Sequence, residues 1–218
     1  MLKKELFTFV LNWFEHEMPN VGPELHYQNP YQLLVAVILS AQCTDKRVNM
    51  VTPTLFERFP TPSDLGNANE KEVFEYIRSI SYPNNKAKHL VGMGQMLSKQ
   101  FKSEVPSSVD LLEQLPGVGR KTAHVIASVI FNKPTLAVDT HVFRVSARLG
   151  LTHNAKTPLE TEKQLMKYIP KDKVGKAHHW LILHGRYTCT ARKPKCEICG
   201  LQTYCKSAPK LLNSKEKI

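Results

Sequence analysis

The 218 residues (24.8 kDa) have 42% hydrophobic content, enough for a packed core, which excludes intrinsic disorder. The longest strongly apolar run, Leu33 to Ala41, is about half the length a membrane span needs. Thirty Lys and Arg against nineteen Asp and Glu leave a net charge of +11 and a pI near 9.4, a balance that points to a polyanionic partner such as nucleic acid.

Taken in chain order, the helical period dominates. Lys3 and Lys4 are followed by Glu5, Asn12, Glu15 and Glu17 with no small-residue cleavage site, so the N-terminus reads as a poor signal peptide. Phe7, Val10, Leu11 and Phe14 recur at i, i+3, i+4 and i+7, the spacing of one buried helix face. Leu33 to Ser40 is apolar on nearly every side and runs into the polar stretch Gln42 to Asn49, which predicts a central buried helix ending or turning at the surface. Further helices are predicted near 47–58, 70–80, 85–101, 108–114, 121–131, 140–149, 159–168 and 173–186. Pro60, Pro62, Pro83, Pro106, Pro116, Pro134, Pro158 and Pro170 mark the breaks. No segment sustains a period of two with strand composition, so the expected fold class is all-α. There is no internal repeat. The tail after Cys205, rich in Lys and Ser, is expected to be loosely ordered.

The charge is concentrated. Residues 1–50 hold four basic and five acidic side chains, whereas 116–151 hold five and one, and 186–218 hold eight and two. The first basic segment contains Leu-Pro-Gly-Val-Gly at 115–119, between a short predicted helix and a longer one beginning at Arg120. Glycines there permit close backbone approach, and the following helix offers free N–H groups and a positive dipole end to an anion. Arg120 and Lys121 stand in a first turn where cations are normally disfavoured, which suggests that an anion meets them. The plainer reading is an ordinary helix-turn-helix connection. A lysine in its neutral form at such a place is a nucleophile able to form a Schiff base; the plainer role is a phosphate contact. Asp139 is a natural N-cap for the helix that runs to Gly150. It would converge with Lys121 if the chain reverses at Asn132 to Pro134.

The second basic segment holds four of the five cysteines, Cys189, Cys196, Cys199 and Cys205, spaced C-x6-C-x2-C-x5-C. In a chain with no evident signal peptide this reads as a metal site and not as disulfides. Zinc and an iron–sulfur cluster both use four thiolates, and spacing alone does not choose between them.

Together these segments resemble the endonuclease III family of DNA glycosylases, in the helix-hairpin-helix superfamily. The resemblance is densest in Leu-Leu-Val-Ala-Val-Ile-Leu-Ser-Ala-Gln at 33–42, Leu-Pro-Gly-Val-Gly-Arg-Lys-Thr-Ala at 115–123 and Val-Asp-Thr-His-Val-Phe-Arg-Val at 138–145. His-His-Trp-Leu-Ile-Leu-His-Gly-Arg at 178–186 then leads into the cysteines. The resemblance implies two helical domains flanking a DNA-binding cleft. One is a six-helix domain at 22–133 with the hairpin at 108–131; the other combines 1–21 with 134–218. It implies Lys121 as nucleophile, Asp139 as catalytic carboxylate, and one 4Fe–4S cluster on Cys189, Cys196, Cys199 and Cys205. It also implies DNA contacts from Gln42, Tyr82, Gly117, Val118, Gly119, Arg120, His141 and Arg144. The expected activity is removal of oxidised pyrimidines from double-stranded DNA, followed by β-elimination at the abasic site. The expected setting is a cytoplasmic, nucleoid-associated monomer with no membrane contact.

Two departures stand out. Tyr82 occupies the place where the family commonly has a leucine wedge, although an aromatic ring also stacks on bases. Cys43, beside Gln42, lies outside the cluster pattern and reads as a small buried residue. Two competing functions differ by specific features. An adenine-mismatch glycosylase of the same superfamily usually lacks the lysine and carries an extra C-terminal domain. A non-catalytic DNA-binding module would have no need to keep Lys121 and Asp139 together.

Overall fold

The computed structural model describes residues 2–213, and among these there is no β-strand. The chain divides into two compact units, one of Pro23–Asn132 and one combining the residues up to Gly22 with those from Lys133 onward.

The continuous unit contains α2 (Pro30–Ser40), α3 (Asp45–Arg58), α4 (Pro62–Gly66), α5 (Glu70–Ile77), α6 (Pro83–Gln100), α7 (Val109–Leu112) and α8 (Arg120–Phe131). The segment expected as a buried helix becomes α2, the centre of this unit. Asn29 caps it by accepting from the Gln32 amide at 2.9 Å, Pro30 fills its first turn, and Leu33, Leu34, Val35, Ala36 and Leu39 are fully buried. Truncating any of these leucines to Ala should cost about 2–5 kcal/mol. The neighbours bury complementary faces around it: Val48 and Leu55 of α3, Val73 and Ile77 of α5, Leu90, Met93 and Leu97 of α6, and Ala123 and Ile126 of α8.

The discontinuous unit contains α1 (Lys3–Glu17), α9 (Thr140–Leu149), α10 (Pro158–Met166), α11 (Val174–Tyr187) and α12 (Ala208–Asn213), with 3-10 turns at Lys171–Lys173, Cys196–Ile198 and Gln202–Tyr204. The face Phe7, Val10, Leu11 and Phe14 packs with Val142, Val145, Leu165, Val174 and Trp180. Phe14 stacks on Trp180 with centroids 6.0 Å apart, and the Trp180 indole donates to the Met18 carbonyl at 2.8 Å. Lys3 donates to the Gly150 carbonyl at 2.7 Å, so the first helix is tied to the end of α9.

The differences from the sequence expectation have local causes. α4 was not expected because Pro60 and Pro62 read as breaks. In the structure Thr61 and Asp64 form a reciprocal capping box and Pro62 sits at the first helical position, where its missing N–H costs nothing. The segment expected at 108–114 shrinks to the four residues of α7, and i→i+3 bonds from Gln114 and Leu115 lead into the following turn. In the described part of the tail after Cys205, which was expected to be loosely ordered, α12 forms and Ala208 is buried; residues 214–218 lie outside the described residues. No helix among the described residues is long and apolar enough to cross a membrane.

One histidine in the discontinuous unit carries a pH consequence. Burial, with His178 beside it, pulls His179 down to about 3. It is therefore neutral in the native protein at pH 5, whereas in the unfolded chain it takes up a proton below its ordinary value of 6.5. The unfolded state binds more protons, so stability falls as pH falls, by at most about 1.4 kcal/mol per pH unit. Urea denaturation at pH 7 and pH 5 should show a loss of about 1–2 kcal/mol that is smaller in His179→Gln. An equal loss in both proteins would refute the assignment to His179.

Candidate active site

In the continuous unit, the turn between α7 and α8 is pinned from below. Leu115 and Val118 bury their side chains in the core, and the Val118 amide donates to the Leu115 carbonyl at 3.0 Å. Val118, expected among the DNA contacts, thus faces inward, and the outward positions are Gly117, Gly119, Arg120 and Lys121. The two glycines serve different ends. Gly117 has φ +81°, and a Cβ there would lie 2.9 Å from the His89 Cβ, so the fold itself requires glycine. Gly119 has φ −94° and ψ 175°, ordinary extended backbone, and a Cβ there would meet nothing within 4 Å. Nothing inside the chain demands glycine at 119. Gly119 is also the N-cap of α8 and provides no side-chain acceptor, and the first turn holds no acidic residue. The helix therefore begins with no side-chain cap, a positive dipole end and two exposed cations, Arg120 and Lys121.

Two further turns of this unit meet. Gln42 follows α2 with φ 55°, and Tyr82 precedes α6 with φ 56°, both in the left-handed region despite their side chains. The Ser81 hydroxyl donates to the Gln42 carbonyl at 2.7 Å, so the two turns are stitched together. Gln42 is exposed and Tyr82 is 62% exposed. Cys43, next to Gln42, packs against the core but is only half-buried, less than its plain reading expected.

In the discontinuous unit, Asp139 caps α9. Its Oδ1 accepts from the amides of His141 at 2.9 Å and Val142 at 2.8 Å, and Oδ2 takes no part in the cap. Half-buried at a helix start, the carboxylate has one oxygen committed to the cap and one outside it. His141 follows it, with its Nδ1 3.2 Å from Arg144 Nη2. Arg144, expected to touch DNA, commits its guanidinium elsewhere: Nη2 donates to the Gly185 carbonyl at 2.8 Å, and both Nε and Nη2 donate to the Cys189 carbonyl at 3.2 Å.

Arg148 was not singled out from the sequence. One turn beyond Arg144 on α9, it donates to the carbonyls of Thr190 at 2.7 Å and Ala191 at 2.8 Å and approaches the Cys189 sulfur at 3.5 Å. Its spacing of four from Arg144 was the available signal, since two arginines on one helix face can grip one loop.

Cys189, Cys196, Cys199 and Cys205 line a single cavity with Leu149, His184 and Ala208. Four thiols around one cavity are the ligand set of an iron–sulfur cluster, so the donor set fits one, as it would also fit zinc. His184 Nε2 lies 3.7 Å from the Cys199 sulfur, and the Cys205 sulfur lies 3.3 Å from the Arg148 carbonyl. Burial raises the thiols of Cys199 and Cys205, and neighbouring thiols raise them further, while Arg148 works in the opposite direction at Cys205. Loading the cluster must accordingly release protons.

Residues 35–171 match the model of the HhH-GPD superfamily of base excision DNA repair proteins, and residues 189–205 match the iron-sulfur binding domain of endonuclease III. Endonuclease III of Rickettsia conorii is 44% identical over 204 residues, which span 94% of this chain and 97% of that protein. This chain belongs to the endonuclease III family. Among solved structures it is similar to an endonuclease III–DNA covalent intermediate trapped with an estranged adenine, at TM-score 0.91 and 45% identity, covering 97% of this chain and 100% of the other. A non-covalent endonuclease III–DNA complex aligns at TM-score 0.92 and 44% identity, covering 98% and 100%. As an endonuclease III family member the chain is a base-excision DNA glycosylase and abasic-site lyase, and its cofactor is a 4Fe–4S cluster. The segment matched by the iron-sulfur model begins at Cys189 and ends at Cys205.

Proposed function

We propose that this chain removes oxidised pyrimidines from double-stranded DNA and cuts the strand 3′ to the resulting abasic site, with Lys121 as the nucleophile. The observation that carries this reading is Lys121 itself: an exposed amine in the first turn of α8, two residues after a glycine at which a Cβ would meet nothing within 4 Å. A phosphate against the open amides of that turn would hold the damaged strand beside the amine.

A base inside a duplex shields its sugar carbon, so the nucleotide must first leave the stack. Gln42 and Tyr82, two exposed side chains on joined turns, fill the gap; the ring of Tyr82 stacks and the amide of Gln42 hydrogen-bonds to an orphaned base edge. The Lys121 amine then attacks C1′, the bond to the base breaks, and the base departs with the electron pair. Asp139, through Oδ2, stabilises positive charge on the sugar and takes up the proton released from the amine. Ring opening yields a Schiff base between Lys121 and C1′. Loss of a C2′ proton then expels the 3′ phosphate by β-elimination. Cys189, Cys196, Cys199 and Cys205 would hold the cluster, and the basic loop with Arg192, Lys193 and Lys195 would be organised around it. Arg144 and Arg148 brace that loop, so Arg144 supports the interface and His141 makes the contact at the start of α9. Val118 likewise anchors the hairpin from within, leaving Gly117, Gly119 and Arg120 to face the phosphates. The substrate sets the location: the cytoplasm, on nucleoid DNA.

Borohydride reduction in the presence of abasic-site duplex should trap a covalent adduct that is lost in Lys121→Ala; failure to trap, or trapping in the variant, would overturn the lyase reading. The hairpin makes a separate prediction. Gly117→Ala should destabilise the protein by about 1–3 kcal/mol in chemical denaturation. Gly119→Ala should stay within about 0.5 kcal/mol of the native protein yet bind duplex DNA more weakly, as read by fluorescence anisotropy. Unchanged affinity in Gly119→Ala would remove the hairpin from the interface.

A further inference from the structure

Lys86 is a buried lysine with no part in the chemistry above. It lies in the first turn of α6 and is only 6% exposed. Its Nζ donates to the Leu39 carbonyl at 2.8 Å and to the Ala41 carbonyl at 2.6 Å. These acceptors belong to the last turn and the C-cap of α2, where helix carbonyls have no intrahelical partner and the dipole end is negative. Burying an ammonium is costly, and burial indeed pulls the Lys86 amine below its ordinary range. A leucine or methionine at this depth would be the cheaper solution for stability alone. The position of the two carbonyls suggests what is gained, because the residue that follows Ala41 is Gln42.

Gln42 and Tyr82 both hold left-handed backbone conformations, each of which costs about 1 kcal/mol or more for a residue with a side chain. Such conformations persist where surrounding bonds over-determine them. Three bonds do so here: two from Lys86 to the chain just before Gln42, and one from the Ser81 hydroxyl to the Gln42 carbonyl. Lys86 and Ser81 flank Tyr82 in sequence, so the segment that carries one inserted side chain also clamps the segment that carries the other. We propose that Lys86 and Ser81 form a clip that sets Gln42 and Tyr82 in fixed register before DNA arrives, making Lys86 a positioning residue for the step in which the damaged base leaves the stack. The inference rests on the reading of Gln42 and Tyr82 as the side chains that fill the vacated stack.

The clip matters only where a base must be displaced from a duplex. Lys86→Met keeps the length of the side chain and removes the donors. It should slow single-turnover excision of an oxidised thymine from duplex DNA on the order of 10–100-fold, the scale expected when a catalytic group is misplaced by about 1 Å. Borohydride trapping on a single-stranded abasic oligonucleotide, which has no duplex to open, should stay within about threefold of native. Ser81→Ala should show the same split with a smaller loss, and it serves if Lys86→Met does not fold, as judged by thermal melting and the visible absorbance of the cluster. In a Gln42→Ala background, Lys86→Met should add less than about threefold, because the two act through one element. The clip is overturned if Lys86→Met, or Ser81→Ala where the former is unfolded, excises at the native rate while Gln42→Ala is impaired. It is also overturned if duplex excision and single-strand trapping fall in parallel, or if the Lys86 and Gln42 effects multiply in full. Gln42→Ala at the native rate would instead remove the underlying reading of Gln42.

Discussion

Lys121→Gln is expected to abolish the borohydride-trapped adduct and to lower strand cleavage at abasic sites on the order of 10⁴-fold, while leaving the folded protein intact. Lys121 is exposed in the first turn of α8, its side chain contributes nothing to the core, and replacing it by another straight-chain residue should change stability by no more than about 0.5 kcal/mol. The predicted loss is thus confined to the covalent step. Glutamine keeps a polar side chain of similar reach, so binding to an intact damaged duplex, read by anisotropy at fixed salt, should fall only modestly. A variant that binds and does not trap separates a nucleophile from a phosphate contact. A variant that still traps would transfer the role to another amine, and one whose binding collapses along with its chemistry would make Lys121 an electrostatic anchor.

How much of this was legible in the sequence depends on what each residue answers to. Local chemistry could be read directly. The hydrophobic period placed α1 and α2, the Leu-Pro-Gly-Val-Gly run placed the turn before α8, and Asp139 announced its own cap, because each depends on neighbours within a few positions. What escaped was settled by partners distant in the chain. Arg144 was expected to touch DNA from the resemblance alone, and only the fold brings the Gly185 and Cys189 carbonyls to it, more than forty positions away. Arg148 was overlooked for the same reason. Lys86 carries no sequence signal of its own; its burial follows from the packing of α6 on α2. Val118 belongs to a motif recognised as a unit, and only the fold shows that its own side chain holds the loop down while its neighbours face out. The four cysteines were legible as a set, and the resemblance rather than their spacing pointed to a cluster; the fold adds that they line one cavity.

Asp139 presents the harder separation, because one carboxylate is assigned both a structural and a catalytic task. Its Oδ1 satisfies two of the open amides at the start of α9, a cap whose removal by Asp139→Ala should cost about 1 kcal/mol and at most about 2. Asparagine caps as well as aspartate, since the carbonyl oxygen of its amide accepts the same bonds. Asp139→Asn should therefore leave stability within about 0.5 kcal/mol of the native protein, with the negative charge near the helix start the only term lost. Catalysis should respond quite differently. An amide in the place of Oδ2 neither takes a proton from the attacking amine nor balances positive charge on the sugar, so base excision should fall by about 10²–10⁴-fold. Asp139→Ala should fall at least as far and be less stable as well. The comparison that decides the matter is excision rate against unfolding free energy for both variants. If Asp139→Asn excises at near-native rate, the carboxylate is a cap alone; if it is inactive and as stable as the native protein, the two oxygens divide the two tasks between them.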